Sequence, residues 1–141
     1  SRFIEVTGDG LKKLSAAFED FAKDNIENLS DEILKRYIDA PYRAPMIIIV
    51  ISEIKSHPKV PEIEQMLSTA AAAENILLAL NALNYAGMWR TGVFALNDKI
   101  SSYLGLEDNQ KVLGYLYVGT PIGKQKNIPE MNSSEFVTKW I

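Results

Sequence analysis

Ala70-Ala71-Ala72-Ala73-Glu74-Asn75-Ile76-Leu77-Leu78-Ala79-Leu80-Asn81-Ala82-Leu83 is the stretch whose reading decides the fold. Only Glu74, Asn75 and Asn81 interrupt it, with Thr69 and Asn84 at its margins. A helix that is apolar nearly all round has no solvent face, so it has to be buried nearly all round. A chain of 141 residues has difficulty enclosing such a helix by itself. The economical reading is a helix at a subunit interface, with Ala70 to Ala73 permitting close approach of another helix. The alternative is a helix buried within one subunit.

Immediately downstream stands Ala86-Gly87-Met88-Trp89-Arg90-Thr91-Gly92. Its glycines allow a sharp turn and close approach of a ligand to the peptide plane. Trp89, Arg90 and Thr91 place a flat surface, a charge and a hydrogen-bonding group at one spot, which suits a planar cofactor with polar edges. The plainer reading is a helix C-cap running into a strand with an incidental Trp-Arg pair.

Upstream of the long helix, Pro61 suits its first turn, with Glu62 and Glu64 at its positive end. The loop from Ser56 to Pro61 holds His57, read as solvated. Met46 to Ile51 (M-I-I-I-V-I) is short, continuous and mostly β-branched, the pattern of a central strand covered on both faces. Before it, Ser30 caps a helix whose apolar side is Ile33, Leu34, Tyr37 and Ile38, ended near Asp39 by Pro41 and Pro45. Leu11, Leu14, Ala17, Phe18, Phe21 and Ala22 recur at helical spacing to about Lys23, with Asp9 as the expected N-cap. Arg2 to Val6 alternates as a strand. A strand at the very first residues leads us to expect that an N-terminal portion precedes it in the natural protein.

Downstream, Asn97 is expected to cap a short helix through Leu104, ended by Gly105. Lys111 to Val118 is a strand, and Gly123 to Pro129 a basic loop. Phe136 to Ile141 has strand composition, to be paired in its own sheet or donated to a neighbour's. The order of elements implies an α+β layered domain over residues 1–141, without repeats or a domain boundary.

Composition narrows the function. The formal net charge of −3 and pI near 5.2 argue against a nucleic-acid partner. There is no cysteine and only one histidine, so thiolate chemistry is excluded and no metal site is expected. A Ser–His hydrolase would have to work with His57 in a loop and is set aside. No apolar run is long enough to span a bilayer, and the default expectation is the cytoplasm.

Several stretches, in order, carry a resemblance. They are R-F-I-E-V from Arg2, A-P-Y-R-A-P-M-I-I-I-V from Ala40, and K-V-P from Lys59 into the alanine-rich helix. G-M-W-R-T-G from Gly87 and V-L-G-Y-L-Y-V-G-T-P from Val112 follow. With these the chain resembles the FMN-dependent nitroreductase family, in its compact NAD(P)H nitroreductase branch, over nearly its whole length.

The resemblance implies an α+β nitroreductase-like fold, with a small, mainly antiparallel sheet packed with helices. It implies an entwined homodimer holding FMN in clefts at the subunit interface. It further implies ping-pong hydride transfer from NADH or NADPH through flavin to small-molecule nitro compounds or quinones. The branch's flavin-contacting W-R-S falls on Trp89, Arg90 and Thr91, with Thr keeping the hydroxyl of Ser, and a backbone N–H nearby is expected at flavin N5. The branch's nicotinamide segment falls on Ala79, Leu80, Asn81, Ala82, Leu83 and Asn84. Family members begin with an Arg-Arg-Ser segment that holds the FMN phosphate, and this sequence starts after it. Lys124 and Lys126 are candidates to help there, or are ordinary solvated lysines. Arg90 or Arg43 is the candidate cation for the N1–O2 edge of the flavin. No catalytic side chain is expected, because the flavin carries the chemistry and solvent supplies protons. The alternative is a flavin-binding or structural dimer without turnover, lacking the phosphate-binding N-terminus.

Overall fold

The apolar stripe of 11–22 folds as expected, into a helix that buries Leu11, Leu14, Phe18, Phe21 and Ala22 along one side. In the computed structural model, which describes residues 1–123 and 127–140, this is α1, Asp9–Asn25. Its N-cap is Gly8 rather than Asp9, which enters the first turn and there favours the helix dipole instead of capping it. α2, Asp31–Ile38, is capped as read: the Ser30 hydroxyl accepts the Ile33 N–H at 3.3 Å. The proline-bracketed stretch that follows forms a short 3-10 turn, Ala40–Arg43, which turns the chain into the sheet.

Four strands make that sheet: β1 (Arg2–Thr7), β2 (Met46–Glu53), β3 (Ala86–Arg90) and β4 (Gln110–Gly119). They lie in the order β1-β2-β4-β3, every neighbouring pair antiparallel. The β-branched run of β2 is central and is covered on both faces, as its composition requires. Ile47, Ile49 and Ile51 join Val6, Val112, Tyr115 and Tyr117 under α1, while Val50 joins Leu113, Leu116 and Val118 under the long helix. Opposite Val50 stands Gly114 and opposite Ile51 stands Val112, so Leu113 is an extra residue, a bulge in β4.

The long helix, α3, runs from Glu62 to Ala82 and lies on the second face of the sheet. Here the structure departs from burial within one subunit. Only Thr69 and Ala73 are buried, and Leu67, Leu78 and Leu83 are 60%, 60% and 66% exposed. One sheet face can cover only one side of a helix, so the other apolar side is left bare. α4 is shorter than expected, Ile100–Tyr103, because the Asn97 side chain caps the preceding turn by accepting the Lys99 N–H. The strand expected over Phe136 to Ile141 does not form among the described residues. Phe136, Val137 and Trp140 lie exposed, pairing with neither sheet edge of their own chain. Among the described residues, no helix is long and apolar enough to cross a membrane.

Candidate functional site

β3 carries the residues singled out in sequence, and its pairing decides where each one points. Arg90 stands opposite Tyr115, Trp89 opposite Leu116 and Met88 opposite Tyr117. Side chains alternate across a strand, so Arg90 and Met88 share the face of the two tyrosines, and Trp89 takes the other. The indole accordingly packs with Leu113, Leu116, Val118 and the inner side of α3. Its Nε1–H donates to the Leu113 carbonyl at 3.3 Å. Adjacent in sequence, Trp89 and Arg90 are therefore separated by the thickness of the sheet.

After Arg90 the chain must leave the edge of the sheet and return to the core. It does so through Thr91 and a 3-10 turn, Gly92–Phe94, in which Gly92 has φ +60°, a conformation that favours glycine. Phe94 anchors the turn. Its ring stacks on Phe18 with centroids 3.8 Å apart and meets Tyr37 and Phe21 edge-on, and its carbonyl accepts the Tyr115 hydroxyl at 2.7 Å. The first N–H groups of such a turn have no partner within it.

Arg90, Thr91 and Gly92 thereby form one lip of a cleft of about 230 Å3 floored by Phe18, Phe94 and Tyr115. Arg36 from the end of α2 and Arg43 from the proline-bracketed turn line it too. Tyr117 also lines a second depression of about 420 Å3, walled by Pro45, Met88 and Ile122. Arg43, Arg90 and Tyr117 line both, so the two are halves of one groove.

The charge of the groove opposes that of the chain. In a protein of net charge −3, three guanidiniums face one cleft, and among the described residues none of them is ion-paired. The Arg90 guanidinium lies 5.6 Å from the centroid of the Tyr117 ring, a cation–π distance. Burial raises the Tyr117 phenol above its ordinary value, against the pull of Arg43 and Arg90. Burial raises that of Tyr115 much further. Both hydroxyls are therefore neutral donors near neutral pH.

Of the residues read from sequence, the structure brings Arg43, Arg90 and Thr91 together and leaves Trp89 behind the sheet. Ala79, Leu80, Asn81, Ala82, Leu83 and Asn84 line neither half of the groove. They end α3 on the opposite face, mostly exposed, with Leu80 packed over Gly87. Lys124 and Lys126 lie outside the described residues. His57 is an exposed loop residue whose Nδ1 accepts the Lys59 N–H at 3.1 Å. Arg36 and Tyr117 were missed by sequence reasoning. A faint signal existed for each: a basic pair closing a helix just before a two-proline turn, and a strand with tyrosines two apart.

The comparisons with known proteins bear on this groove. The sequence model of the nitroreductase family matches residues 1–120. YdjA of Escherichia coli (strain K12), provisionally named an NAD(P)H nitroreductase, is 31% identical over 139 residues, covering 96% of this chain and 74% of that protein. A nitroreductase-like family protein from Bacillus cereus superposes with a TM-score of 0.70 at 20% identity, over 97% of this chain and 71% of that one. A variant of NfnB from Sphigopyxis sp. strain HMH, described as FMN- and NADPH-dependent, gives a TM-score of 0.68 at 12% identity, over 97% and 78%. At those identities the two structures speak for the fold alone.

Proposed function

Because the chain belongs to the nitroreductase family, a family of oxidoreductases, we propose that its groove holds FMN and that it works as an FMN-dependent NAD(P)H oxidoreductase. One observation carries the reading: three guanidiniums without carboxylate partners among the described residues converge on an aromatic-floored cleft of an acidic protein. A phosphate dianion needs charge-assisted donors, and the arginines are placed to supply them. A flat ring system needs a wall and hydrogen-bonding groups at its edge, which Tyr117, the Thr91 hydroxyl and the free N–H groups of the 92–94 turn provide. The residues present therefore fit the cofactor. When bound, FMN supplies hydride transfer in a ping-pong cycle, from NADH or NADPH and on to a nitro compound or quinone.

This chain's residues contribute position and charge. Arg90 and Arg43, both beside Tyr117, stabilise negative charge that develops on a bound ring. The apolar half of the groove beyond Tyr117 excludes water from one side of the ligand. Residues 1–141 act as a single domain, and the bare side of α3 supports a homodimer. The exposed run 79–84 is then the part of α3 presented to the partner's groove, where the nicotinamide donor would be met. The cytoplasm, where NADH and NADPH are available, is the compartment that suits this activity.

The test is a visible spectrum of the purified chain with added FMN, followed by anaerobic addition of NADPH or NADH. The expected result is a perturbed flavin spectrum that bleaches with the nicotinamide and recovers when a quinone is added. A chain that leaves the spectrum of free FMN unaltered would refute the reading. Binding without bleaching would leave a flavin-binding dimer without turnover.

A further inference from the structure

β3 is an edge strand with little to hold it down. Ala86, Gly87, Met88 and Arg90 are exposed, and Trp89 is the one side chain of the strand that is even partly buried. Apart from its ladder to β4, the close packing of Leu77 and Leu80 against Gly87 and the lean of Arg90 on Tyr117, the strand is fixed through this indole. The indole lies directly over Gly114. A Cβ at that position would overlap Nε1 of Trp89 and sit 2.7 Å from its Cδ1 and 2.9 Å from the carbonyl oxygen of Arg90. Gly114 has φ +154° and follows Leu113, the extra residue of the β4 bulge. Leu113 gives its carbonyl to the indole N–H at 3.3 Å. The bulge and the glycine together create an acceptor and a vacancy, and the indole occupies both.

We propose that Trp89 and Gly114 form an interlock that positions Arg90 and Thr91 at the lip of the groove, so that Trp89 serves the site as a positioning residue from behind the sheet. The proposal rests on the functional reading above, because it concerns how that site is held. The chain of contact is short. Leu113 O fixes the indole, the indole fixes the backbone of residue 89, and the Arg90 carbonyl lies within reach of any atom added at residue 114. The next residues, Thr91 and Gly92, are the lip itself. A side chain at 114 would push on the indole and on the Arg90 carbonyl at once.

Two substitutions test the interlock in the whole chain. Trp89→Phe keeps an aromatic ring and removes the N–H. Gly114→Ala places a methyl where the indole lies. FMN affinity is read by quenching of flavin fluorescence, and the lip by amide hydrogen exchange at residues 90–92. In both variants affinity should fall by about tenfold or more, as small displacements of positioned groups do. Exchange at 90–92 should quicken while β2 and the middle of β4 stay protected. Leu11→Ala, which thins the core at the start of α1, two turns from Phe18 and away from the groove, should leave affinity within about twofold, since distant sites act independently.

An equal loss of affinity in Leu11→Ala would overturn the proposal, because general destabilisation would then account for it. Unchanged affinity in Trp89→Phe would overturn it too, even if Gly114→Ala fails to fold. If the unsubstituted chain takes up no FMN, the functional reading falls and exchange alone decides the interlock. Faster exchange at 90–92 in Trp89→Phe would then sustain it, and unchanged exchange would overturn it.

Discussion

The two long helices lie on opposite faces of the same sheet and handle apolar surface in opposite ways. α1 carries its apolar residues on one stripe and buries them: Phe18 and Phe21 are each 1% exposed. α3 carries more apolar residues with no preferred side, and most of them remain outside the core. The difference teaches that periodicity, more than hydrophobicity, says where burial happens. A stripe of period 3.6 is satisfied by one packed layer within the chain. An apolar surface without a period needs a second layer, and this chain has none to spare for α3. Hence the exposed leucines point to association, and the helix has its own sheet on one side only.

The sharpest way to break the comparison is to cut into the inward helix. Phe18→Ala removes a ring stacked on Phe94 and set edge-on to Tyr115 in the floor of the groove. It should cost about 3–5 kcal/mol of folding stability, as such core truncations do. Urea denaturation checks it, and a loss under about 1 kcal/mol would mean that the floor repacks. The matching change on the outward helix is Leu78→Lys, at a position 60% exposed in the single chain. Here folding stability should move by no more than about 0.5 kcal/mol. Association should weaken by about 3 kcal/mol, on the order of a hundredfold, because an unpaired charge would enter the interface. Sedimentation velocity decides it: an unaltered dimer, or a chain monomeric from the outset, would end the idea that α3 is the interface.

A third change should touch neither folding nor association. Arg90 is exposed, without an ion pair among the described residues, and leans on the Tyr117 ring. Arg90→Ala should lower FMN affinity by about 1.5–3 kcal/mol, the range for hydrogen bonds to charged groups. Thermal unfolding should stay within a degree or two of the parent, as a surface substitution does. Unchanged FMN affinity in a flavin titration would remove Arg90 from the site.

How much of this was legible in sequence follows from the same contrast. α1, β2 and β4 announce themselves because one side or both sides of each are buried locally, and local burial leaves a period or a β-branched run. The site was legible in part: Arg90, Thr91 and Arg43 do meet at one cleft. The side of the sheet on which Trp89 falls was not legible. It depends on the register of β3 against β4, which a motif of three consecutive residues leaves open. Arg36 was invisible for another reason. It reaches the cleft only because the turn at Ala40–Arg43 folds α2 back over Phe94, a contact between distant parts of the chain. For the tail beyond Ser133, composition marks a capacity for strand pairing without saying which sheet edge takes it up, and within the single chain, among the described residues, neither edge does.

The smallest expected effect concerns the pin beneath the groove and comes with a sign in pH. Tyr115 is buried, donates to the Phe94 carbonyl at 2.7 Å, and has its phenol raised above the ordinary 10.0 chiefly by that burial. Tyr115→Phe leaves the carbonyl without this donor and should cost about 1 kcal/mol at neutral pH. A raised folded-state value means that the contribution is complete below pH 10. Above that, the unfolded chain releases the phenolic proton while the folded chain keeps it, so stability falls with a slope of about 1.4 kcal/mol per pH unit. The Phe variant lacks this slope and keeps only the dependence that both proteins share from Tyr117, Tyr103, Lys23 and Lys111, which are also raised. The two proteins should therefore converge roughly one pH unit above 10, where the lost slope matches the lost hydrogen bond. Urea midpoints measured across that range check it. A difference that stays constant with pH would show that the Tyr115 phenol ionises as readily in the folded chain as in the unfolded one, and so that its hydroxyl reaches solvent.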